Sequence, residues 1–418
     1  MKYQVLIIGG GTAGLMTAAQ LKKANKDLNI ALIEPSETHY YQPAWTLVGA
    51  GTYDFENTAR PTKNFIPKGV TWIKDRATGF DAPNQIVKTA ESGDIGYEYL
   101  VVAPGLVMDY DRIEGLAEAI DKGVVCSNYT DPKHTWEVLK NFKGGNAIFT
   151  QPSGAIKCGG APQKIAYLAA DYVRKHGLQS KTNLAFLTPG TTIFGVKEIR
   201  ETLLKVIDRY GMIFKPHMEP VKIDGKKQKI WFKYNGPEDK KPLFDGTGKL
   251  EGKELENGLI EMHFDMLHLA PPQAAPEFIR TSDLVNDGGW LEVDQYSMQH
   301  KKYANIFGLG DVAGLPTAKT GAAIRKQVPV VVDNILKLIA SKQADNHSYN
   351  GYSSCPLVTA YGKMVLAEFD YDGNFTPDPK LKQMLISDSS KEHWRLWMLK
   401  KYMLPYLYWN KMLKGEKV

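Results

Sequence analysis

The sequence predicts an α/β fold with two Rossmann-like domains and a C-terminal amphipathic section. An apolar stretch at residues 5–8 runs directly into a glycine-rich turn and a helical pattern. A second strand–turn–helix pattern follows near the middle of the chain, and the C-terminus is aromatic and basic. Strands that alternate with helices in this way are typical of parallel sheets covered by helices.

The N-terminal turn has the spacing of a dinucleotide-binding fingerprint. Gly9, Gly11 and Gly14 let the backbone turn tightly and approach a pyrophosphate closely. The pyrophosphate would lie at the N-terminus of the next helix, where unpaired N–H groups and the helix dipole favour an anion. A second strand, residues 30–33, ends in Glu34, where a carboxylate is expected to accept hydrogen bonds from an adenosine ribose.

Length and composition limit the function classes. A chain of 418 residues is long enough for two or three domains with sizeable cores. The net charge of +6 permits an anionic membrane surface or an anionic substrate, but requires neither. The three cysteines are too few for a disulfide framework. We identify no signal peptide, no apolar run of the ~18 residues that a transmembrane helix needs, no metal site and no nucleic-acid partner.

The first domain is predicted to be discontinuous. An aromatic loop at residues 39–45 either lines a flat ligand or packs on the core. A strand over 99–103 breaks at Pro104-Gly105, and a later strand ends in Gly310-Asp311 before a long helix that Pro329 is expected to kink. We therefore predict two domains of the FAD/NAD(P)-binding type, at 1–114 with 288–345 and at 115–287, followed by a C-terminal section at 346–418.

The second unit lacks a nucleotide fingerprint. Between a strand at 146–150 and a helix at 162–176, the turn at 151–160 is too long and its glycines are wrongly spaced. No acid ends the next strand, so this unit is predicted not to bind NAD(P)H. Its turn instead carries Cys158, which lies before a helix N-terminus and between Lys157 and Lys164. These features stabilise a thiolate and lower its pKa.

Cys355, in the segment 353–357, is the candidate partner of Cys158. Two such cysteines beside a flavin would form a redox-active pair. The alternative is that both are buried structural residues, because free cysteine is commonly buried. The sequence does not reveal whether they are close in space.

The chain resembles the sulfide:quinone oxidoreductases, flavoproteins built on the disulfide-reductase fold, and in particular the group that includes the mitochondrial enzyme. The resemblance runs nearly end to end. It depends on the blocks at residues 39–43 with 45–51, 145–150, 157–158 with 160–164, 354–359 and 366–370.

The resemblance implies an FAD in the first domain and a catalytic pair formed by Cys158 and Cys355. Asp311 would contact the ribityl chain. The full set of implied cofactor contacts is Gly9, Gly11, Gly14, Glu34, Gln42, Pro43, Ala103, Gly105, Gly310, Asp311, Lys319 and Thr320. Bacterial relatives carry a glutamate where this chain has Lys164, so we assign no acid–base role there. A third cysteine, Cys126, is expected to be non-essential.

The implied reaction oxidises sulfide through the cysteine pair to a persulfide or zero-valent sulfur product. Two electrons then pass through FAD to a membrane quinone, and a small-molecule acceptor removes the sulfur. Because the thiol with the lower pKa leaves more readily, we expect sulfide to attack Cys355 and to release Cys158. Lys319 is expected to stabilise the reduced flavin.

The C-terminal stretch at 394–409 is rich in tryptophan, tyrosine and lysine. Pro405 is predicted to divide it into two short helices that lie in the membrane interface. The alternative is a helix pair packed on the core or on a partner subunit. Together with the family, the first interpretation predicts a peripheral, monotopic protein at an anionic surface of the cytoplasmic membrane, and it permits a homo-oligomer.

Three other functions are compatible with parts of this pattern. A type II-like NADH:quinone oxidoreductase would need the missing nicotinamide fingerprint. The flavoprotein subunit of a flavocytochrome c sulfide dehydrogenase would need an export signal. A non-catalytic, flavin-bound redox sensor would not turn over sulfide.

Overall fold

The computed structural model describes residues 1–242, 250–345 and 348–416. Its N-terminal strand Lys2–Ile8 pairs in parallel with Ile30–Ile33 on one side and Asp94–Val102 on the other. Both faces of Ile30–Ile33 are buried, as expected for an apolar strand inside a parallel sheet. The seven strands of this sheet are Val70–Ile73, Ile30–Ile33, Lys2–Ile8, Asp94–Val102, Ile86–Thr89 and Ala77–Asp81, with Ile306–Gly308 beside Asp94–Val102.

A second sheet holds five parallel strands, in the spatial order Val125–Cys126, Met266–Leu269, Gly145–Thr150, Thr182–Leu187 and Ile213–Lys215. A four-stranded antiparallel sheet adjoins it, with the strands Met218–Asp224, Lys229–Tyr234, Leu259–His263 and Gly252–Glu254. Three strand pairs complete the list: Gln273–Ala274 with Val107–Met108, Thr38–Tyr40 with Ala59–Pro61, and Ser353–Ala360 with Lys363–Phe369.

Five described helices have ten or more residues: α1 (Thr12–Ala24), α2 (Pro132–Asn141), α3 (Ala161–Lys175), α4 (Lys197–Tyr210) and α5 (Gly321–Ile339). Short α-helices lie at Trp45–Val48, Leu116–Ala119, Glu277–Arg280, Trp394–Met398 and Leu404–Asn410. The 3-10 turns are Gln42–Ala44, Glu56–Thr58, Thr62–Asn64, Tyr110–Arg112, Gln179–Lys181, Glu238–Lys240, Gly310–Val312, Pro379–Met384 and Met412–Lys414.

The predicted strands and helices of both Rossmann-like units are confirmed, with ends shifted by a few residues. The strand expected at 30–33 is found there, and the helix expected at 162–176 spans Ala161–Lys175. Pro329 lies inside α5, as predicted, and its effect on the helix axis stays a prediction. The predicted start of the C-terminal section, residue 346, lies outside the described residues, as do residues 417 and 418.

Pro405 does not divide the C-terminal stretch as predicted. The two short helices are joined end to end by a π-helical turn, Leu399–Met403, in which the Leu404 N–H bonds to the Leu399 carbonyl. Pro405 therefore falls in the first turn of Leu404–Asn410, where a missing N–H costs little. The result is one helical segment, residues 394–410.

This helical segment has one face in the core and one in solvent. The buried face consists of Leu396, Trp397, Tyr408 and Trp409. The alternative that this stretch packs on the core therefore holds for that face. The other face exposes a stripe of large side chains: Trp394, Met398, Tyr402, Met403 and Tyr406. Within the described residues, no helix combines the length and apolar character needed to cross a membrane.

Candidate active site

The glycine turn between Lys2–Ile8 and α1 leaves no room for side chains. Gly9 has a φ of +98°, and a Cβ there would overlap the Ala103 carbonyl oxygen. A Cβ at Gly14 would overlap the carbonyl oxygen of Gly9. The two backbones are therefore in direct contact, which only glycine at both positions allows.

The same turn leaves its anion-binding groups free. No described side chain caps the N-terminus of α1, and a Cβ at Gly11 would meet nothing within 4 Å. Glu34 accepts hydrogen bonds from the N–H groups of Gly10 and Ser36, both at 2.6 Å, which fixes its carboxylate beside the turn. Open N–H groups at a helix N-terminus and a fixed acid suit the diphosphate and ribose of a dinucleotide.

Cys158 is held at the N-terminus of α3 by its backbone. Its φ of +48° is unusual for a residue with a side chain and indicates a constrained position. Its N–H donates to the Lys319 carbonyl at 2.7 Å, and its own carbonyl accepts from the Ala161 N–H at 2.7 Å and from the Tyr129 hydroxyl at 3.1 Å. The turn predicted to lack a phosphate cradle thus fixes a thiol instead.

Cys355 lies against Cys158, although the two are far apart in sequence. It is on the strand Ser353–Ala360, which packs on α3, and is 3% exposed. A Cβ at Gly160 would lie 2.5 Å from the Cys355 Sγ, so the glycine makes room for this sulfur. Both cysteines are free thiols in the structure, and their sulfurs interact closely enough to shift each other's pKa.

Two buried lysines face the sulfur pair. The Lys164 Nζ is 3.1 Å from the Cys158 Sγ, and this residue is 1% exposed. Lys400 is 3% exposed and reaches back from the C-terminal π-helical turn, where its Nζ donates to the Pro43 carbonyl at 2.7 Å. Buried ammonium groups are costly unless they have partners, and a thiolate at Cys158 supplies a negative charge near both lysines.

The two cysteines differ in acidity. The hydrogen bond from Cys355, reinforced by the charges of Lys164 and Lys400, holds the pKa of Cys158 well below its usual range despite burial. The same hydrogen bond, together with burial, raises the pKa of Cys355 well above it. Cys158 is therefore the thiolate of the pair and the better leaving group.

The lysines respond to the same charges. Burial acts to lower the pKa of Lys164, but the adjacent sulfurs outweigh it and raise this pKa to about 12. Burial and the charge of Lys164 lower the pKa of Lys400 to about 7. Lys164 is therefore a fixed cation, whereas Lys400 loses its charge near neutral pH.

The chain is similar to known proteins over most of its length. Residues 3–332 match the family model of the pyridine nucleotide-disulphide oxidoreductases. The chain is 39% identical over 415 residues to the mitochondrial sulfide:quinone oxidoreductase of Mus musculus, which covers 99% of this chain and 87% of that protein. It is 41% identical over 418 residues to the mitochondrial sulfide:quinone oxidoreductase of Dictyostelium discoideum, covering 99% and 86%.

The chain belongs to the sulfide:quinone oxidoreductase family.

The fold of this family is also found in solved structures. The sulfide:quinone oxidoreductase of the hyperthermophilic bacterium Aquifex aeolicus superimposes with a TM-score of 0.77 at 21% identity, over 99% of this chain and 92% of that chain. The α/β architecture with Rossmann-like domains is therefore that of the family. The family implies a flavin cofactor, and the free N–H groups of the glycine turn with the fixed Glu34 carboxylate fit one.

Gln42 and Pro43, which are predicted to border the flavin ring, each accept a hydrogen bond from a lysine that lies near the cysteine pair. The Lys157 Nζ donates to the Gln42 Oε1 at 2.7 Å, and Lys400 bonds to Pro43. Burial lowers the pKa of Lys157, and the charges of Asp311 and Cys158 oppose this change, so Lys157 also interacts with the charge of that sulfur. Lys400 is a further cation that acts on Cys158.

Lys319 and Asp311 lie close enough for their charges to interact, and the Lys319 carbonyl accepts from the Cys158 N–H. The Lys319 Nζ donates to the Ala313 carbonyl at 2.8 Å and lies 3.9 Å from the centre of the Trp290 ring. Burial lowers the pKa of Lys319 to about 8 against the opposing charge of Asp311. Burial likewise raises the pKa of Asp311, although Lys157 and Lys319 oppose the change.

The remaining predicted cofactor residues border the same region. Thr320 caps α5, because its Oγ1 accepts from the Ala323 N–H at 3.1 Å. The Gly310 N–H donates to the Gln327 Oε1 at 3.0 Å, and Gly310 and Gly105 have φ values of +75° and +78°. Their contacts with a flavin stay predictions.

Cys126 is a core residue. It is fully buried, its Sγ donates to the Leu267 carbonyl at 3.5 Å, and burial raises its pKa. A neutral thiol of this kind is a poor nucleophile. This environment favours the expectation that Cys126 is non-essential.

Lys400 is the site residue that sequence reasoning missed. Its basic neighbours indicated contact with lipid headgroups, and only the π-helical turn directs it inward. Isolated π turns are frequent at functional sites, but nothing in the residue types of 399–403 predicts one.

Proposed function

We propose that this chain is an FAD-dependent sulfide:quinone oxidoreductase, which oxidises sulfide and passes two electrons to a membrane quinone. The observation that carries the proposal is the Cys158–Cys355 pair. Gly160 makes room for the Cys355 sulfur, Lys164 bonds to the Cys158 sulfur, and the pKa of Cys158 is lowered whereas that of Cys355 is raised. Near full-length similarity to two mitochondrial enzymes of this name supports it.

The cycle begins with Cys158 and Cys355 joined as a disulfide. Hydrosulfide attacks the Cys355 Sγ, a new S–S bond forms, and the bond to Cys158 breaks. Cys355 then carries a persulfide, and Cys158 leaves with the electron pair as a thiolate. Lys164 and Lys400 stabilise that negative charge, because their ammonium groups are already buried against the sulfur.

A nucleophilic small-molecule acceptor completes the sulfur transfer. It attacks the outer sulfur of the persulfide and takes that sulfur, and Cys355 leaves as a thiol after taking up a proton, because its pKa is raised. When the Cys158 thiolate and the Cys355 thiol rejoin as a disulfide, they release one proton and two electrons, which a bound FAD would accept and pass to quinone. Lys164 and Lys400 hold the Cys158 thiolate ready for that step.

The proposed FAD-binding residues divide into two groups. Gly9, Gly11, Gly14 and Glu34 would hold the ADP half, with Ala103 supporting the turn. The ribityl chain and ring would be bordered by Gln42, Pro43, Gly105, Gly310, Asp311, Lys319 and Thr320. We also propose that the FAD-binding domain is interrupted by residues 115–287. Strands before and after this insertion belong to the same seven-stranded sheet.

The membrane is the proposed source of quinone. The exposed stripe Trp394, Met398, Tyr402, Met403 and Tyr406 would lie at headgroup depth, as expected for a peripheral protein at the cytoplasmic membrane. Replacing Trp394 and Tyr402 by serine should weaken binding to anionic vesicles and slow quinone reduction, while sulfide still reduces the flavin. Leu204→Ser, at another exposed apolar residue, is the control. Equal vesicle binding by all three proteins would refute the membrane-docking stripe.

An optical experiment tests the proposed function directly. The purified protein should show flavin bands, sulfide should bleach them without oxygen, and a soluble quinone should restore them. A folded protein that takes up no FAD would end the proposal. Turnover of sulfide with quinone would exclude a non-catalytic redox sensor.

NADH is the reagent that separates this proposal from a type II-like NADH:quinone oxidoreductase. The turn at 151–160 is longer than a nucleotide fingerprint and its glycines are wrongly spaced, and its Ser153 hydroxyl is already bonded to Arg112 and Glu219. NADH should therefore bleach the flavin far more slowly than sulfide does. Rapid anaerobic bleaching by NADH alone would favour the alternative.

A further inference from the structure

The C-terminal helix contacts the glycine turn through a tyrosine. The Tyr408 hydroxyl lies 2.7 Å from the Thr12 Oγ1 and 2.5 Å from the His39 Nε2. The other ring nitrogen of His39, Nδ1, lies 3.2 Å from the Gly10 carbonyl oxygen. Residues 10 and 12 belong to the fingerprint turn, so the chain of hydrogen bonds begins and ends on that turn.

The direction of each hydrogen bond follows from the groups involved. Burial lowers the pKa of His39 to about 4, so the ring is neutral and carries one proton. The Gly10 oxygen can only accept, so His39 Nδ1 donates to it and Nε2 accepts from Tyr408. Tyr408 has then used its proton, and Thr12 must donate to the Tyr408 oxygen. The Thr12 hydroxyl proton is therefore directed at the helix, away from any anion at the turn.

The surrounding packing holds Tyr408 in place. Trp409 stacks on Phe65 at 5.1 Å between ring centres, and the Arg60 guanidinium lies 4.9 Å from the Trp409 ring. Leu413 is fully buried, and a Cβ at Gly415 would press on the α1 backbone. The end of the chain thus packs on the helix whose N-terminus forms the anion site.

We propose that Tyr408 and His39 are positioning residues for the diphosphate of the cofactor, and that the C-terminal helix clamps the glycine turn. The inference rests on the proposed function, because it takes FAD as the ligand of that turn. The clamp holds the turn at Gly10 and Thr12, so that its backbone N–H groups meet the diphosphate without rearrangement. By thermodynamic linkage, FAD must in turn favour the docked helix by the same factor.

The test compares two tyrosines of one helix in the full-length protein. Tyr408→Phe removes a single hydroxyl and leaves His39 and Thr12 without their partner. FAD should bind about tenfold more weakly, because the turn is no longer held in the geometry that meets the diphosphate. Tyr406→Phe, on the exposed side of the same helix, should bind FAD like the wild type. Binding is measured by quenching of flavin fluorescence on adding FAD to flavin-free protein.

A double-variant cycle shows whether His39 and Tyr408 act through one hydrogen-bond network or whether each substitution weakens FAD binding independently. His39→Leu should weaken FAD binding about as much as Tyr408→Phe, and the double variant should lose no more than either one, because each breaks the same chain. Additive losses, or equal FAD affinity in Tyr408→Phe and Tyr406→Phe, would overturn the clamp.

Trypsin cleavage of the tail gives an independent readout of the same linkage. FAD should slow cleavage after Lys411 and Lys414 in the wild type, and this protection should be about tenfold smaller in Tyr408→Phe. Identical protection in both proteins would contradict the clamp. If even the wild type binds no FAD, the proposed function itself has failed, which is a different outcome from a missing difference between variants.

Discussion

The two strand–turn–helix units use the same scaffold for different chemistry. In the first, the turn at residues 9–14 is short, built on glycine, and leaves the N-terminus of α1 open. In the second, the turn at 151–160 is longer and places Cys158, with a φ of +48°, at the N-terminus of α3. A helix N-terminus favours negative charge in both cases, and the turn decides whether that charge is a bound diphosphate or a protein thiolate.

Removing the sulfur atoms should have the largest effect on the second unit. Cys158→Ser and Cys355→Ser should each lose sulfide-dependent turnover by orders of magnitude, because the two residues act as one unit. Only Cys355→Ser keeps the Cys158 thiolate, which Lys164 and Lys400 stabilise. It alone should show a long-wavelength charge-transfer absorbance with oxidised flavin. The reverse pattern would assign the thiolate to Cys355.

Adding a methyl group to each turn should separate the two functions. Gly14→Ala forces a Cβ onto the Gly9 carbonyl and should abolish FAD binding. Gly160→Ala forces one to 2.5 Å from the Cys355 Sγ and should keep FAD but slow flavin reduction by sulfide about 100-fold, as misplaced reacting groups do. Gly159→Ala, where a Cβ meets nothing within 4 Å, is the control.

Flavin content and reduction rate would be measured on the same preparations. Loss of FAD from Gly160→Ala, or a normal reduction rate in that variant, would contradict the assignment of FAD binding to the first turn and of sulfide oxidation to the second.

Lys400→Met should change the pH dependence of the second unit. The pKa of Lys400 is about 7, so its charge supports the Cys158 thiolate below pH 7 and is lost as the pH rises through that value. Without the lysine, the charge-transfer absorbance of the reduced pair should first appear at higher pH. Flavin reduction below pH 7 should slow about tenfold, because a close opposite charge typically shifts a pKa by about 1–3 units.

Lys401→Met is the matched control, because Lys401 is the next residue and hydrogen-bonds to Thr52 instead. An unchanged pH profile in Lys400→Met would mean that Lys164 alone stabilises the thiolate.

Cys126→Ser should have the smallest effect. The hydroxyl can still donate to the Leu267 carbonyl, and burying it should lower the free energy of unfolding by about 1–2 kcal/mol. FAD and most sulfide oxidation should remain, as measured by absorbance and turnover. An inactive variant, or one that loses a covalently bound flavin, would place the chain with bacterial relatives that use a third cysteine.

Local rules predicted the first unit well. The positions of the strands, of α1 and of the glycine turn follow from spacing within about 35 residues. The missing fingerprint in the second unit was equally readable, because it depends on one turn and the end of one strand.

Long-range contacts explain what the sequence could not reveal. Cys158 and Cys355 become neighbours only because the Ser353–Ala360 strand packs on α3. The direction of Lys157 depends on Gln42, and that of Lys400 on a change of helix type. From sequence, the aromatic loop at 39–45 was compatible with packing on the core or with lining a ligand. In the structure, His39 of this loop is bonded to the glycine turn and to the C-terminal helix.

The π-helical turn at Leu399–Met403 also determines which way the side chains of the following helix, Leu404–Asn410, face. Each residue of an α-helix turns the chain by about 100°. Deleting one residue from this turn would restore an ordinary α-helix and swing Leu404–Asn410 by about that angle. Tyr408 and Trp409 would rotate away from the glycine turn, while Trp394 kept its place. Gains and losses of a single residue are therefore far more damaging in this helix than in a surface loop, and sequence length between Lys400 and Tyr408 should be invariant among chains that share this arrangement.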